Sequence, residues 1–134
     1  MARWRTAQFG KVVDSLRSQC PSDAWDDVLL RYAVLVEKGP ACGSLIAKKL
    51  KNSKDIWELL GHADNIQPRL LFYFWNAKGL IVFVEAFIKK GNKDYKPAIE
   101  LAQSRRRLIE HGERQANVIE AFTDKRTPKP SVVH

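Results

Sequence analysis

The chain has 134 residues, of which 45% are hydrophobic and 28% charged; this is the composition of one ordinary globular domain and excludes a disordered or fibrous chain. Lysine and arginine total 23 against 15 acidic residues, a formal charge of +8, so the expected partner is a polyanion, either nucleic acid or an anionic membrane surface. The longest apolar stretch, "LLFYFWNAKGLIVFVEAFI", is cut by a polar turn at Asn76 to Gly79, which argues against a membrane span.

The N-terminal "MARWRTAQFG" is basic but has neither an apolar run nor a cleavage site behind it; a soluble, cytoplasmic protein is expected. Residues 3–9, "RWRTAQF", suit a short strand ending at Gly10. In "KVVDSLRSQC", Val12, Val13, Leu16 and Cys20 recur at helical spacing and Pro21 closes a short helix. Ser22 is placed to cap a longer helix reaching Lys38, with Asp23, Asp26 and Asp27 in its first turns and Gly39-Pro40 as its stop. Its stripe of Trp25, Val28, Leu29, Tyr32, Leu35 and Val36 reads as core. Cys20 and Cys42 lack metal-ligand spacing and read as free thiols.

From Ala41 to Asp64 the chain is punctuated by Gly and Ser and carries the basic cluster "AKKLKNSK" before a predicted strand at 56–60. "RLLFYFW" (69–75) and "LIVFVEAFI" (80–88) flank "NAKG". A connection of this kind suits a type I turn followed by a left-handed glycine, so the two segments are expected to pair as an antiparallel hairpin. Pro97 suits a first helical position, and Ala98, Leu101, Ala102, Leu108 and Ile109 give a stripe running to about His111. After Gly112, Val118, Ile119 and Phe122 suggest another helical turn. The polar, proline-containing "TDKRTPKPSVVH" predicts a flexible tail over 123–134, which leaves 1–122 as the domain. Helices, then strands, then a helix is an α+β order, with helices expected on one sheet face and the other face free.

Three basic groups stand out: Lys48, Lys49, Lys51 and Lys54; Lys89, Lys90, Lys93 and Lys96; and Arg105 to Arg107. A charge run taken alone is more often a solvated face. Here the first group enters a strand and the second leaves one, so a meander would bring them to one surface, with Arg69 between. Trp57, Tyr73, Trp75 and Tyr95 lie near these cations, and rings beside cations suit an unpaired nucleic-acid strand. Strand alternation puts Tyr73 and Trp75 on the face of Arg69, whereas Tyr95 falls in a loop. Each of the three histidines stands alone, and no nucleophile-elbow, P-loop or zinc-protease motif is present. Glu85 lies in an apolar strand and demands a partner. Arg69 is a candidate on the neighbouring strand, although a regular register would put the two on opposite faces unless a bulge at Gly79 intervenes.

The run "KKLKNSKDIWEL" followed by "RLLFYFWNAKGLIVFVEAFIKKGNKDYKPAIELAQSRR" resembles the phage-derived HigB-like branch of the RelE/ParE toxin superfamily over residues 11 to about 107. The resemblance implies a RelE-like α+β domain with N-terminal helices packed on a curved antiparallel sheet and a closing C-terminal helix. It also implies the toxin of a type II toxin-antitoxin pair, cleaving mRNA on the ribosome without a metal or other cofactor. Its partner would be a cognate antitoxin, expected to be a helix-turn-helix protein. Carried over by position, the catalytic set is Lys49, Arg69, Lys89 and Lys90, to which Glu85 is added. Lys48, Lys51, Tyr73, Lys93, Tyr95 and Lys96 are the expected RNA-binding residues. Two positions depart from the pattern: Leu60 stands where many relatives have Arg, and Glu85 where many have His. Glu85 as acid or base, Glu85 as a support for Arg69, and a weakened toxin stand as equal alternatives. A ParE-like toxin acting on DNA gyrase and a non-catalytic RNA-binding module are the competing functions.

Overall fold

The computed structural model describes residues 4–63 and 65–119. The chain runs β1 (Arg5–Phe9), α1 (Val12–Gln19), α2 (Ser22–Lys38), β2 (Ala47–Lys49), β3 (Trp57–Leu60), β4 (Pro68–Trp75), β5 (Leu80–Ile88), α3 (Tyr95–Glu110) and β6 (Ala116–Ile119). The strands form one six-stranded sheet in the order β2-β3-β4-β5-β1-β6. It is antiparallel from β2 through β5 and again between β1 and β6, while β1 joins β5 in parallel. Three helices on an open sheet make a mixed α+β domain compatible with the compact RelE-like arrangement. No described helix is long and apolar enough to cross a membrane.

The two apolar strands of the central hairpin explain the layering. Leu70, Phe72, Ile81 and Phe83 point to one face, where they meet Val13 and Leu16 of α1 and Trp25, Val28 and Leu35 of α2. Leu71, Tyr73, Val82 and Val84 point to the other, where Ala98, Ile99, Ala102 and Ile109 of α3 cover them. Alternate residues thus serve opposite cores, which is why the hairpin reads as continuous hydrophobic runs rather than as apolar-polar alternation. The expectation of one uncovered face is corrected accordingly: α3 packs against β4 and β5 in the middle of that face.

Local chemistry sets the element ends. The Gln8 side chain of β1 accepts the Val13 N–H at 2.9 Å and donates to Asp14, so a strand residue satisfies the first turn of α1. Ser22 is the first residue of α2 rather than its cap, and Asp23 Oδ1 accepts the Ala24 N–H at 2.9 Å. The hairpin turn Asn76–Lys78 ends at Gly79 with φ +65°, as the sequence predicts. The β-bulge lies between Leu71 and Phe72, opposite Val84, and not at Gly79. It places Glu85 beside Leu71 and hence on the α3 face.

Two elements differ from expectation. The short strand β2 has no periodic signal of its own and exists through its pairing with β3. Residues 116–119 form a strand, not a helical turn, because the edge of β1 offers Thr6 to Phe9 as partners. Phe122 and the expected tail lie outside the described residues.

Candidate functional site

Between the β2–β3 arm and the N-terminal half of α3 lies an open groove of about 950 Å³. One wall is built by Lys48, Leu50, Lys51 and Asn52, the other by Lys96, Ile99, Glu100 and Gln103 of α3, and Glu58, Lys89 and Tyr95 close the end near the sheet. Two basic groups far apart in sequence therefore meet here. Lys48 pairs in register with Glu58 and shares its face. Lys89 continues the β5 ladder, its N–H bonded to Gln67 O at 2.8 Å, and its ammonium lies 5.6 Å from the centre of the Tyr95 ring. Lys49 also borders the groove, but its ammonium is turned to Asp55, 3.2 Å away, and to the Trp57 ring on the opposite side.

Beneath the lysines sits a buried polar triad. The Tyr95 hydroxyl donates to Glu58 Oε1 at 2.5 Å and accepts from Arg69 Nε at 3.2 Å, and Arg69 and Glu58 stand 3.5 Å apart. Arg69 is 7% exposed and Glu58 3%. Arg69 Nη1 donates to the carbonyls of Gly61 and Pro68, and Nη2 to Gln67 Oε1. Arg69 therefore stands behind Tyr95 and Glu58, and it is those two that reach the groove. Burial, then the hydrogen bond and charge of Glu58, push the Tyr95 hydroxyl up to about 12 against the opposing pull of Arg69. Tyr95 thus remains a phenol at neutral pH. Its position is held from the preceding loop, where Asp94 Oδ2 accepts the N–H groups of Lys90 and Gly91 at 2.9 and 3.1 Å.

The other expected residues lie elsewhere. Glu85 pairs with Arg105 of α3 at 3.2 Å, not with Arg69, and Arg105 also donates to Val84 O and stacks on Phe9. Tyr73 is 0% exposed, packed below α3 with the Arg106 guanidinium 4.4 Å from its ring centre. It cannot offer a face to a base. Its hydroxyl has no hydrogen-bond partner among the described residues, and burial raises its pKa. Lys90 and Lys93 are exposed on the loop before α3 and do not line the groove. Trp57 packs on Phe72 and Phe74, on the α1–α2 side.

Glu58, Asn52 and Gln103 were not singled out by sequence reasoning. Glu58 carried the same signal as Glu85, a carboxylate inside an apolar strand, "IWELL", and the same demand for a buried partner. Asn52 and Gln103 carried none.

This arrangement can neutralise a phosphate at the lysines and presents a carboxylate and a phenol beside it. Residues 16–107 match the model of a family described as phage derived protein Gp49-like (DUF891), a span that includes the whole groove. No curated protein matches the chain.

Proposed function

The chain belongs to the phage-derived Gp49-like family, and from that premise we propose that it is the toxin of a type II toxin-antitoxin pair, an endoribonuclease that inhibits translation by cutting mRNA on the ribosome. The observation that carries this reading is the meeting of Lys48, Lys51, Lys89 and Lys96 around the Tyr95–Glu58 pair in one groove. Positive charge in an open cleft suits an RNA backbone, and a carboxylate with a phenol next to it suits proton transfer.

The proposed reaction is attack of a ribose 2′-OH on the adjacent phosphorus. Lys48 and Lys96 hold the phosphate and stabilise its developing charge. Glu58 Oε1 is engaged by Tyr95 and Arg69, so its second oxygen takes the 2′-OH proton as the new O2′–P bond forms. The P–O5′ bond breaks, the Lys89 ammonium gives its proton to the leaving O5′, and a 2′,3′-cyclic phosphate remains. Glu58 then returns its proton to Lys89. Tyr95 and Arg69 are positioning residues, since they fix the carboxylate. An antitoxin, proposed to be of helix-turn-helix type, is the regulatory partner, and the cytoplasm is the proposed compartment.

The test is a cell-free translation reaction with primer extension on the message. Defined cuts with the wild-type chain, lost in Lys89→Ala and reduced at least tenfold in Glu58→Gln, are expected. Intact message with slowed gyrase supercoiling would move the protein to the gyrase-directed class. Lysine-dependent RNA binding without any cut would leave it a binding module.

A further inference from the structure

Phe9 carries two arginines, on the side of α3 away from the groove. The strand order sets this: β2 and β3 lie on one side of the β4–β5 pair that α3 covers, and β1, which ends at Phe9, lies on the other. The Arg105 guanidinium reaches the ring from α3, 4.7 Å from its centre, and that of Arg114 reaches it from the turn after α3, at 4.5 Å. The two positive charges can be no farther apart than the sum of those distances. Their donors are unevenly used. Arg105 Nη1 donates to Val84 O at 2.8 Å and to Glu85 Oε1 at 3.2 Å, while its Nε and Nη2 have no acceptor among the described residues. The exposed Arg114 side chain has neither an acceptor nor a carboxylate partner among the described residues. Glu85 therefore offsets one of the two charges.

Stacking on an aromatic ring steadies a guanidinium plane and leaves its N–H edge available for bidentate recognition of phosphate. Two like charges on one ring repel, and an anion bound between or beside them relieves that repulsion. We propose that Arg105 and Arg114 form a second phosphate site for RNA, separated from the groove by α3; the proposal rests on the RNA reading above. Two sources offer the same phosphodiester chemistry, the strand that leaves the groove and passes α3, or ribosomal RNA. Lys90 is the contrast, since it is exposed and has no ring contact among the described residues.

The test compares the full chain with Arg114→Ala and Lys90→Ala, by fluorescence anisotropy on oligouridines and by co-sedimentation with ribosomes. Oligouridines of about six nucleotides suit the groove alone, and those of about twenty also pass α3. Arg114 is exposed, so its replacement is expected to leave the fold and the binding of the short RNA unchanged. With the strand as the source, Arg114→Ala weakens the long RNA by roughly two- to fivefold, as an exposed ion pair allows, and lowers its salt slope by about 0.7. With ribosomal RNA as the source, long-RNA binding holds and ribosome affinity falls by a similar factor. Lys90→Ala is expected to change neither. Arg114→Ala matching the wild type in both assays, or equal losses in Lys90→Ala, overturns the site and leaves the two arginines to an acidic protein segment. In that case, short-RNA binding weakened by Lys89→Ala keeps the groove reading standing, whereas a wild type that binds neither RNA nor ribosomes sinks both.

Discussion

Arg69 and Lys89 are both cations of the candidate site, yet they do different work. Arg69 satisfies Glu58, the Tyr95 hydroxyl and the carbonyls of Gly61 and Pro68 from a buried position, so Arg69→Ala is expected to cost about 3–5 kcal/mol in urea unfolding by stranding a buried carboxylate. Lys89→Ala removes a half-buried side chain and is expected to stay within about 0.5 kcal/mol of wild type while losing RNA cleavage. Equal stability losses would show that the triad is not the buried pair described. Tyr95 adds a pH dependence. Its folded pKa of about 12 lies above the ordinary value of 10.0, so the folded state holds the phenolic proton more tightly. The associated stability is complete below pH 10 and disappears as pH rises toward 12. Tyr32 and Tyr73 are raised by burial and act in the same direction. Tyr95→Phe is therefore expected to lose less urea stability than wild type between pH 9 and pH 11, with part of the alkaline loss remaining. The sequence made Arg69 visible through its place in a hairpin motif, but its burial depended on α3 arriving over it, which no local pattern encodes.

At the scale of elements, the site depends on where strands stop. Gly61 follows β3 directly, and a Cβ there would meet Val28 Cγ2 at 2.9 Å and the Pro68 carbonyl at 3.0 Å. Gly61→Ala is expected to cost about 1–3 kcal/mol, because backbone must move in a packed layer, and to loosen Arg69 as well, since Gly61 O is its acceptor. Gly79 has nothing within 4 Å of such a Cβ and only its φ of +65° to protect, so Gly79→Ala should cost about 1–2 kcal/mol and leave RNA binding unchanged. Thermal unfolding beside RNA titration separates these outcomes; a Gly79 variant that also lost binding would contradict the assignment of the site to the opposite end of the hairpin. The hairpin itself was legible, since its turn chemistry and apolar runs are local. The bulge at Val84 was not. It decides that Glu85 faces α3 and Arg105, and it arises from the pairing of two strands rather than from either alone.

Across the whole molecule, the fold gathers Lys48, Lys51, Lys89 and Lys96, which contribute to the formal charge of +8, into one groove. Single-stranded RNA held by four groove lysines should show a log–log salt dependence with a slope near −3, at about 0.7 per neutralised phosphate, and each Lys→Ala change at Lys48, Lys51, Lys89 or Lys96 should reduce it by about 0.7. Lys90→Ala and Lys93→Ala, outside the groove, are expected to leave the slope unchanged; a slope that fell equally for all six would return the lysines to a solvated fringe. By itself the sequence determined the local properties. These are the helices with their punctuation, the central hairpin with its glycine turn, the basic balance and the motif order that carries the family. These follow from short-range periodicity and turn chemistry, which act within a few residues. Only the tertiary structure decided what needs distant partners: that β1 inserts between β5 and β6, that 116–119 becomes a strand on the edge so created, and that α3 covers the second sheet face. The same packing hides Tyr73, links Glu85 to Arg105 and sets Glu58 under Tyr95. The reason is that burial and register are properties of the elements that meet, and their cost or gain is settled only when both partners are in place.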